Sequence, residues 1–294
     1  MKDLGPISWF LGIQFLQTDE GISMNQSFYL LGVLERFQMS ECKPRATPCE
    51  PKFDVEDGES TPENSEDDVR RYREIIGSLV YAMSCTRPDL AWIVTKLSQH
   101  LSNPSPADWT AVKHVLRYIK QTVKHQLFFG KSKDGIKLEG FSDSDWASSS
   151  DRRSTTGYCF RLSENSALVS WKTRKQPTIA LSSCEAEYMA LTAAAQEAIS
   201  LKMILKDLQP EDDNQQPTLI YGDNQGSLDL AQNPVQHQRS KHIDIKYHFI
   251  REKCANGDIK LQYVPTAENV SDLMTKAATK QKLETFHGDL FGRH

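Results

Sequence analysis

The sequence predicts an α/β domain in its second half, following a mainly helical region. Three observations carry this. Apolar residues recur at helical spacing in three stretches between residues 69 and 121. From 125 to about 175 they fall into short runs parted by turn residues. Beyond 180 a long helical stretch is followed by strands and helices in alternation.

Residues 7–17 (ISWFLGIQFLQ) are rich in aromatic and branched side chains, and Asp19-Glu20-Gly21 is a turn signal before ISMNQ, which predicts a hairpin. A short helix follows, in which Tyr29, Leu30, Val33, Leu34 and Phe37 share a helical spacing until CKPRATPCEP breaks it. Hairpin and helix make a first segment, 1–49. Residues 50–68 form an acidic linker, with prolines, Gly58 and serines but few large apolar residues, too few to offset the entropy of folding. Helices are expected at 69–84, 89–102 and 106–121, within a helical segment 69–124. The third has a defined start: Ser105 caps, Pro106 suits the first helical position, and Asp108 favours the positive end of the helix dipole.

The strand-rich segment runs from 125 to 294. QLFFG, IKLEGFSD, TTGYCFRL and ALVSWKT are separated by KSKDG, a Ser/Asp/Arg loop and SENS, as in antiparallel hairpins. A helix at about 182–208 comes next, then the strand LIYGD, helices at about 224–231 and 240–255, the strand IKLQYVP, and final helices from about 270.

Composition excludes several classes. The 294 residues are 38% hydrophobic, enough for a packed core and near the size of two domains. No run approaches the roughly 20 apolar residues of a membrane span, and MKDLGPISWF lacks the basic start and apolar run of a signal peptide, so a soluble, intracellular chain is expected. The six cysteines form no C-x-x-C pair and read as buried thiols. Net charge is −4, but Glu50 to Asp68 holds nine acids and one base, so the rest of the chain is mildly basic and compatible with a nucleic acid partner.

The chemistry-bearing residues are acids at element ends. Two-metal phosphodiester chemistry needs several carboxylates converging on ions roughly 4 Å apart, and magnesium prefers such hard oxygen ligands. Asp143 ends the strand IKLEGFSD and shares a side of the pleat with Phe141, while Asp145 lies past the strand; a solvated turn is the plainer reading of that pair. In the long helix, positions 187, 191, 194, 198, 201, 205 and 208 form one stripe, and all but the first are Leu or Ala. Glu187 therefore heads a core-facing stripe, which a helix-start acid does not by itself explain, whereas Glu185 lies on another face. Asp223 ends LIYGD at a strand-to-helix handover, where an N-cap is the alternative. Asp272, three residues after Asn269 in NVSDLMTK, has a capping arrangement as its alternative.

Asp, Glu, Asp and Asp on first strand, first helix, fourth strand and last helix match the ribonuclease H family. The phrases GFSDSDWA, DRRSTTGYCF, SWKTRKQ, SSCEAEYMAL, YGDNQGS, RSKHIDIKYHFIRE and VPTAENVSDLMTK resemble its copia-type retrotransposon version. Upstream, MKDLGPISWFLGI, CKPRATP and TRPDLAWIVTKLSQHLSNPSPADWTAVKHVLRYIK resemble that polyprotein's reverse-transcriptase thumb and connection segments, so segment 1–49 is a partial reverse-transcriptase piece by this resemblance.

The resemblance implies a mixed five-stranded sheet with flanking helices. It further implies Asp143, Glu187, Asp223 and Asp272 as ligands of two Mg2+ ions, with Mn2+ as a substitute, and cleavage of the RNA strand of an RNA–DNA hybrid. Hybrid specificity would then come from duplex shape and the 2′-hydroxyl. Many cellular relatives carry a His in the loop before the last Asp; here VPTAENVSD has none, and His242 and His248 on the preceding helix read as surface residues.

Basic residues interleaved with aromatics mark a path for the hybrid: Arg152 and Arg153, then Trp171, Lys172, Arg174 and Lys175, then Arg239, Lys241, His242, Lys246, Tyr247 and Arg251. A solvated basic face is the alternative for the last group. The polymerase palm with its paired aspartates is absent, because Tyr221-Gly-Asp-Asn224 has Asn in the second place. MKDLG lies inside the family's longer polyprotein, so a fragment is expected, with the palm of a full-length element as a partner and no membrane. The rival reading is a catalytically silent, nucleic-acid-binding remnant. An integrase shares the core fold but needs a zinc-binding His/Cys segment and has its glutamate last, whereas Glu187 comes second.

Overall fold

The computed structural model describes residues 5–50, 53, 65–132, 135–147, 150–209, 216–232 and 244–293, without the side chains of 244–248. The chain divides into two compact units. The first holds the residues up to Lys131 together with Asn165–Leu168 and the chain from Ala277 onward; the second holds Ser132–Glu164 and Val169–Lys276. Most of the acidic linker lies outside the described residues.

In the first unit β1 (Trp9–Phe10), β2 (Ile13–Gln17) and β3 (Gly21–Asn25) form the expected hairpin. The strand β4 (Leu127–Gly130) corrects the sequence reading. QLFFG was grouped with the strand-rich half, yet it pairs antiparallel with β3, Met24 opposite Leu127 and Gly21 opposite Gly130. Strand character is local, whereas the choice of a partner is made by packing.

Between the hairpin and β4 the described residues form the helices α1 (Ser27–Arg36), α2 (Glu66–Cys85), α3 (Ala91–Leu97) and α4 (Pro106–Gln121). Leu30, Val33 and Leu34 of α1 are buried, as their spacing requires. The stretch expected as one helix at 89–102 is α3 flanked by 3-10 turns at Pro88–Leu90 and Ser98–His100. The start of α4 is a full capping box: the Ser105 hydroxyl accepts from the Asp108 N–H, and the Asp108 carboxylate accepts from the Ser105 N–H.

Arg87 and Asp89 are a fully buried ion pair, at 2.7 Å. Such a pair is tolerable only when its remaining hydrogen-bonding capacity is met. Here the Tyr118 hydroxyl donates to Asp89 at 2.8 Å and Arg87 donates to the Thr122 hydroxyl at 2.6 Å, which ties the Pro88 turn to the end of α4.

The second unit carries a sheet in the order β7-β6-β5-β8-β9, formed by β5 (Glu139–Asp145), β6 (Thr155–Arg161), β7 (Leu168–Lys175), β8 (Thr218–Gly222) and β9 (Ile259–Tyr263). β5 is antiparallel to β6 and parallel to β8, which is parallel to β9. This is the ribonuclease H-like mixed sheet of five strands. The helix α5 (Ser183–Leu208) packs on it through Tyr188, Leu191, Ala194, Ala195 and Ala198, which share a core with Phe160, Ile220 and Leu261. Alanines on that face let the helix approach closely. The helices α6 (Gln225–Gln232) and α7 (Asp244–Ala255) follow, and Leu228 and Ile250 join the same core. After β9 comes a 3-10 turn at Val270–Met274 where an α-helix was expected; α8 (Lys280–Thr285) and α9 (His287–Phe291) belong to the first unit. No described helix is long and apolar enough to cross a membrane.

His125, beside the rings of His287 and Phe291 in the first unit, supplies a test of the packing there. Burial pushes its imidazole down from 6.5 to about 4, against a smaller opposing pull from Asp89. The unfolded chain therefore binds more protons between these values, and stability is lost as pH falls through that window. Urea unfolding of His125→Phe should show a smaller loss between pH 7 and pH 5 than the parent chain. An equal loss would mean that His125 titrates as it does in water.

Candidate metal centre

Asp143 and Asp223 come together because of strand register. β5 and β8 are parallel neighbours, and Phe141 lies opposite Tyr221, so continuing the register by two residues sets Asp143 opposite Asp223 at one end of the sheet. The strand β5 runs on through Asp145, two residues beyond the end expected from sequence. The N-cap alternative for Asp223 falls to Asn224, whose side chain accepts from the Ser227 N–H at 2.9 Å.

Glu187 reaches the same point from α5. Its carboxylate accepts the Ser144 backbone N–H at 3.1 Å, which anchors it to the end of β5. Glu185 is a cap instead: its carboxylate accepts from the Leu181 N–H at 2.8 Å, while the Ser182 hydroxyl accepts from the Glu185 N–H. Asp143, Glu187 and Asp223 each offer an oxygen, and these three atoms lie within 4.8 Å of one another.

The 3-10 turn brings Asp272 to this end of the sheet. Asn269 caps the turn by accepting the Ser271 N–H, and its amide donates to the Ser142 carbonyl at 3.0 Å, pinning the turn to β5 beside Asp143. The Thr275 hydroxyl donates to Asp143. Asp272 is 2% exposed and pairs with Lys276 at 2.6 Å; the same ammonium is 3.6 Å from Asp143. Asp272 therefore connects to the three-carboxylate group through a lysine.

The electrostatics follow from burying like charges. Burial pushes the Asp143 carboxyl up, against the pull of Lys276. Burial, with the charges of Asp143 and Asp223, pushes Glu187 well above the usual carboxylate range. Burial opposes the Lys276 charge, and Asp143 and Asp272 outweigh it, so the ammonium sits above its ordinary value. A set of oxygen donors that resists holding its full negative charge fits a hard divalent cation such as Mg2+ or Mn2+.

The basic candidates divide. On the edge strand β7, Lys172 and Arg174 are exposed and Trp171 is half-buried. Lys175 and Arg153 share Asp151, at 2.8 and 3.7 Å, and Arg152 is exposed beside them. Arg239, Lys241 and His242 lie outside the described residues; Lys246, Tyr247 and His248 fall on α7, their side chains undescribed. Arg251 donates to the Leu230 carbonyl at 3.1 Å.

The sequence reading missed Lys276, Thr275 and Gly157. The (i, i+4) spacing of Asp272 and Lys276 was a usable signal for the first. Gly157 carries none, because its role is a close approach: it pairs with Asp143 across β5 and β6, and a Cβ there would sit 2.6 Å from Thr275 Cγ2 and 2.7 Å from Met274 Cβ.

Comparison with known proteins bears on the family and the fold. The family described as reverse transcriptase (RNA-dependent DNA polymerase) matches residues 1–51. The chain is 39% identical to the retrovirus-related Pol polyprotein from transposon TNT 1-94 of Nicotiana tabacum, over 100% of this chain and 22% of the relative. It is also 39% identical to an uncharacterized mitochondrial protein of Arabidopsis thaliana, over 67% of this chain and 79% of the relative. Among solved structures, a foamy viral protease-reverse transcriptase in complex with RNA/DNA hybrid superposes with a TM-score of 0.51 at 12% identity, over 88% of this chain and 29% of that one, which is a likeness of fold.

The protein is a retroelement polypeptide whose second unit has the ribonuclease H-like fold. Within that class it belongs to the copia-type retrotransposon Pol polyprotein family, and it spans about a fifth of the length of the Pol polyproteins it matches.

Gly157→Ala should disturb the turn that carries Asp272. The added methyl must displace the Thr275 segment, at a cost of about 1–3 kcal/mol by overpacking. Gly77→Ala is the control, since nothing lies within 4 Å of a Cβ at that position in α2. Thermal melting should show a lower Tm for Gly157→Ala alone; equal melting of both variants and the parent would mean that the turn is not packed on Gly157.

Proposed function

We propose that the second unit is a metal-dependent nuclease that cuts the RNA strand of RNA–DNA hybrids. The observation that carries this is the convergence of Asp143, Glu187 and Asp223, from three separate elements, with oxygens within 4.8 Å. Acids this close and this buried repel one another, and a divalent cation is the partner that removes the repulsion. Membership of the Pol polyprotein family supports a nucleic acid substrate.

In this reading Asp143, Glu187 and Asp223 hold the cation, and Asp272 adds a fourth carboxylate at the same end of the sheet. A divalent ion, when bound, supplies a nucleophile at neutral pH and charge stabilisation for the phosphodiester. The chain's own residues do the rest. The Ser144 N–H orients Glu187, and the Thr275 hydroxyl orients Asp143. Lys172, Arg174 and Arg152 are proposed as cationic contacts to the phosphate backbone, and Trp171 as an apolar one to the sugar face. Arg153 and Lys175 would meet the duplex as an ion-paired group with Asp151. Arg239, Lys241, His242 and Lys246 are proposed to extend the same contact.

The test is cleavage of an end-labelled RNA–DNA hybrid by the full chain in Mg2+, in Mn2+ and in chelator. Cutting should require the metal and fall by orders of magnitude in Asp223→Asn and in Glu187→Gln. Hybrid binding at low salt should survive both changes, because it rests on the cationic contacts. Binding without cutting by the parent chain in either metal would make the domain a silent nucleic-acid-binding remnant; cutting restored by a palm-containing partner would instead make it a nuclease that depends on that partner.

A further inference from the structure

The metal centre already contains a cation of its own. Lys276 places its ammonium 2.6 Å from Asp272 Oδ1 and 3.6 Å from Asp143 Oδ2. Asp143 is at the same time one of the three carboxylates whose oxygens cluster within 4.8 Å. In a two-ion arrangement the second ion would have to share a carboxylate of that cluster and recruit the remaining acid, and here the pair available is Asp143 with Asp272. The space between those two carboxylates is taken by a covalently tethered positive charge.

Three features hold the lysine there. Asp272 is its (i, i+4) neighbour, the spacing at which opposite charges meet on a helical turn. The turn that carries Asp272 is pinned to β5 by the amide of Asn269 on the Ser142 carbonyl. Gly157 leaves room for Met274 and Thr275 to lie against β6, which sets where Lys276 leaves the backbone. The lysine side chain remains 41% exposed, while its carboxylate partners are each 2% exposed.

We infer that Lys276 is a tethered cation standing in for the second metal ion, so that Asp143, Glu187 and Asp223 bind a single divalent ion and Asp272 serves to position Lys276. The inference rests on the reading of the cluster as a metal site. An ammonium has three donors; with one given to Asp272 and Asp143 met as an ion pair, the others can meet a phosphate oxygen as a point charge. Asp272 then acts through Lys276 and makes no direct bond to the divalent ion.

The test counts ions directly, by titrating the full chain with Mn2+ alone and reading bound metal by electron paramagnetic resonance. The parent chain should bind one Mn2+. Lys276→Gln should bind a second, because the Asp143 and Asp272 pair is released, and Lys276→Arg should return the count to one. Asp272→Asn should leave the affinity for the first ion unchanged, which keeps the question open to decision even if Lys276→Gln folds poorly. Two ions bound by the parent chain, or a clear loss of affinity in Asp272→Asn, would overturn the inference while leaving the metal site intact. No Mn2+ bound by any of the four proteins would sink the metal-site reading itself.

Discussion

A carboxylate can be taken out of water only beside something that compensates its charge, and the second unit is organised around that constraint. Asp143, Glu187 and Asp272 are all buried, and Asp223 lies at the end of the neighbouring strand. A single acid so placed would simply remain protonated. Several acids gathered at one strand end raise one another's proton affinity, and Lys276 supplies part of the opposing charge.

The gathering uses backbone more than side chain. Parallel pairing of β5 and β8 brings Asp143 and Asp223 to one level, the Ser144 N–H holds Glu187, and the Ser142 carbonyl holds Asn269 and with it the turn of Asp272. Each of these contacts belongs to the end of β5. The strand is central in the sheet and flanked on both sides, so its geometry is the least free to drift. Gly157 on β6 completes the arrangement by having no side chain at the point where the last turn must lie close.

The first unit shows the same rule applied without a site. The side chains of Arg87 and Asp89 are fully buried, but their charges cancel and Tyr118 and Thr122 satisfy what remains. That pair needs nothing from outside. The carboxylates of the second unit outnumber the one ammonium of Lys276 among them, and this difference separates a structural ion pair from a cluster consistent with a divalent ion.

Much of this was legible in the amino-acid order, because helical and strand periods, caps and turns depend on neighbours in the chain. The capping box at Ser105, the hairpin ending at Asn25, the long α5 with Glu187 in phase with its buried Leu and Ala positions, and the acids at successive element ends all belong to that kind. What only the tertiary structure decided depends on partners far away in sequence. QLFFG has the aromatic, apolar composition of a strand wherever it pairs, and it is contact with β3 that assigns it to the first unit. Asp145 reads as a loop residue until pairing with Thr155 extends β5. A long lysine has many rotamers of similar energy in isolation, so the position of Lys276 between Asp143 and Asp272 emerges only once two acids from opposite ends of the domain have been brought together.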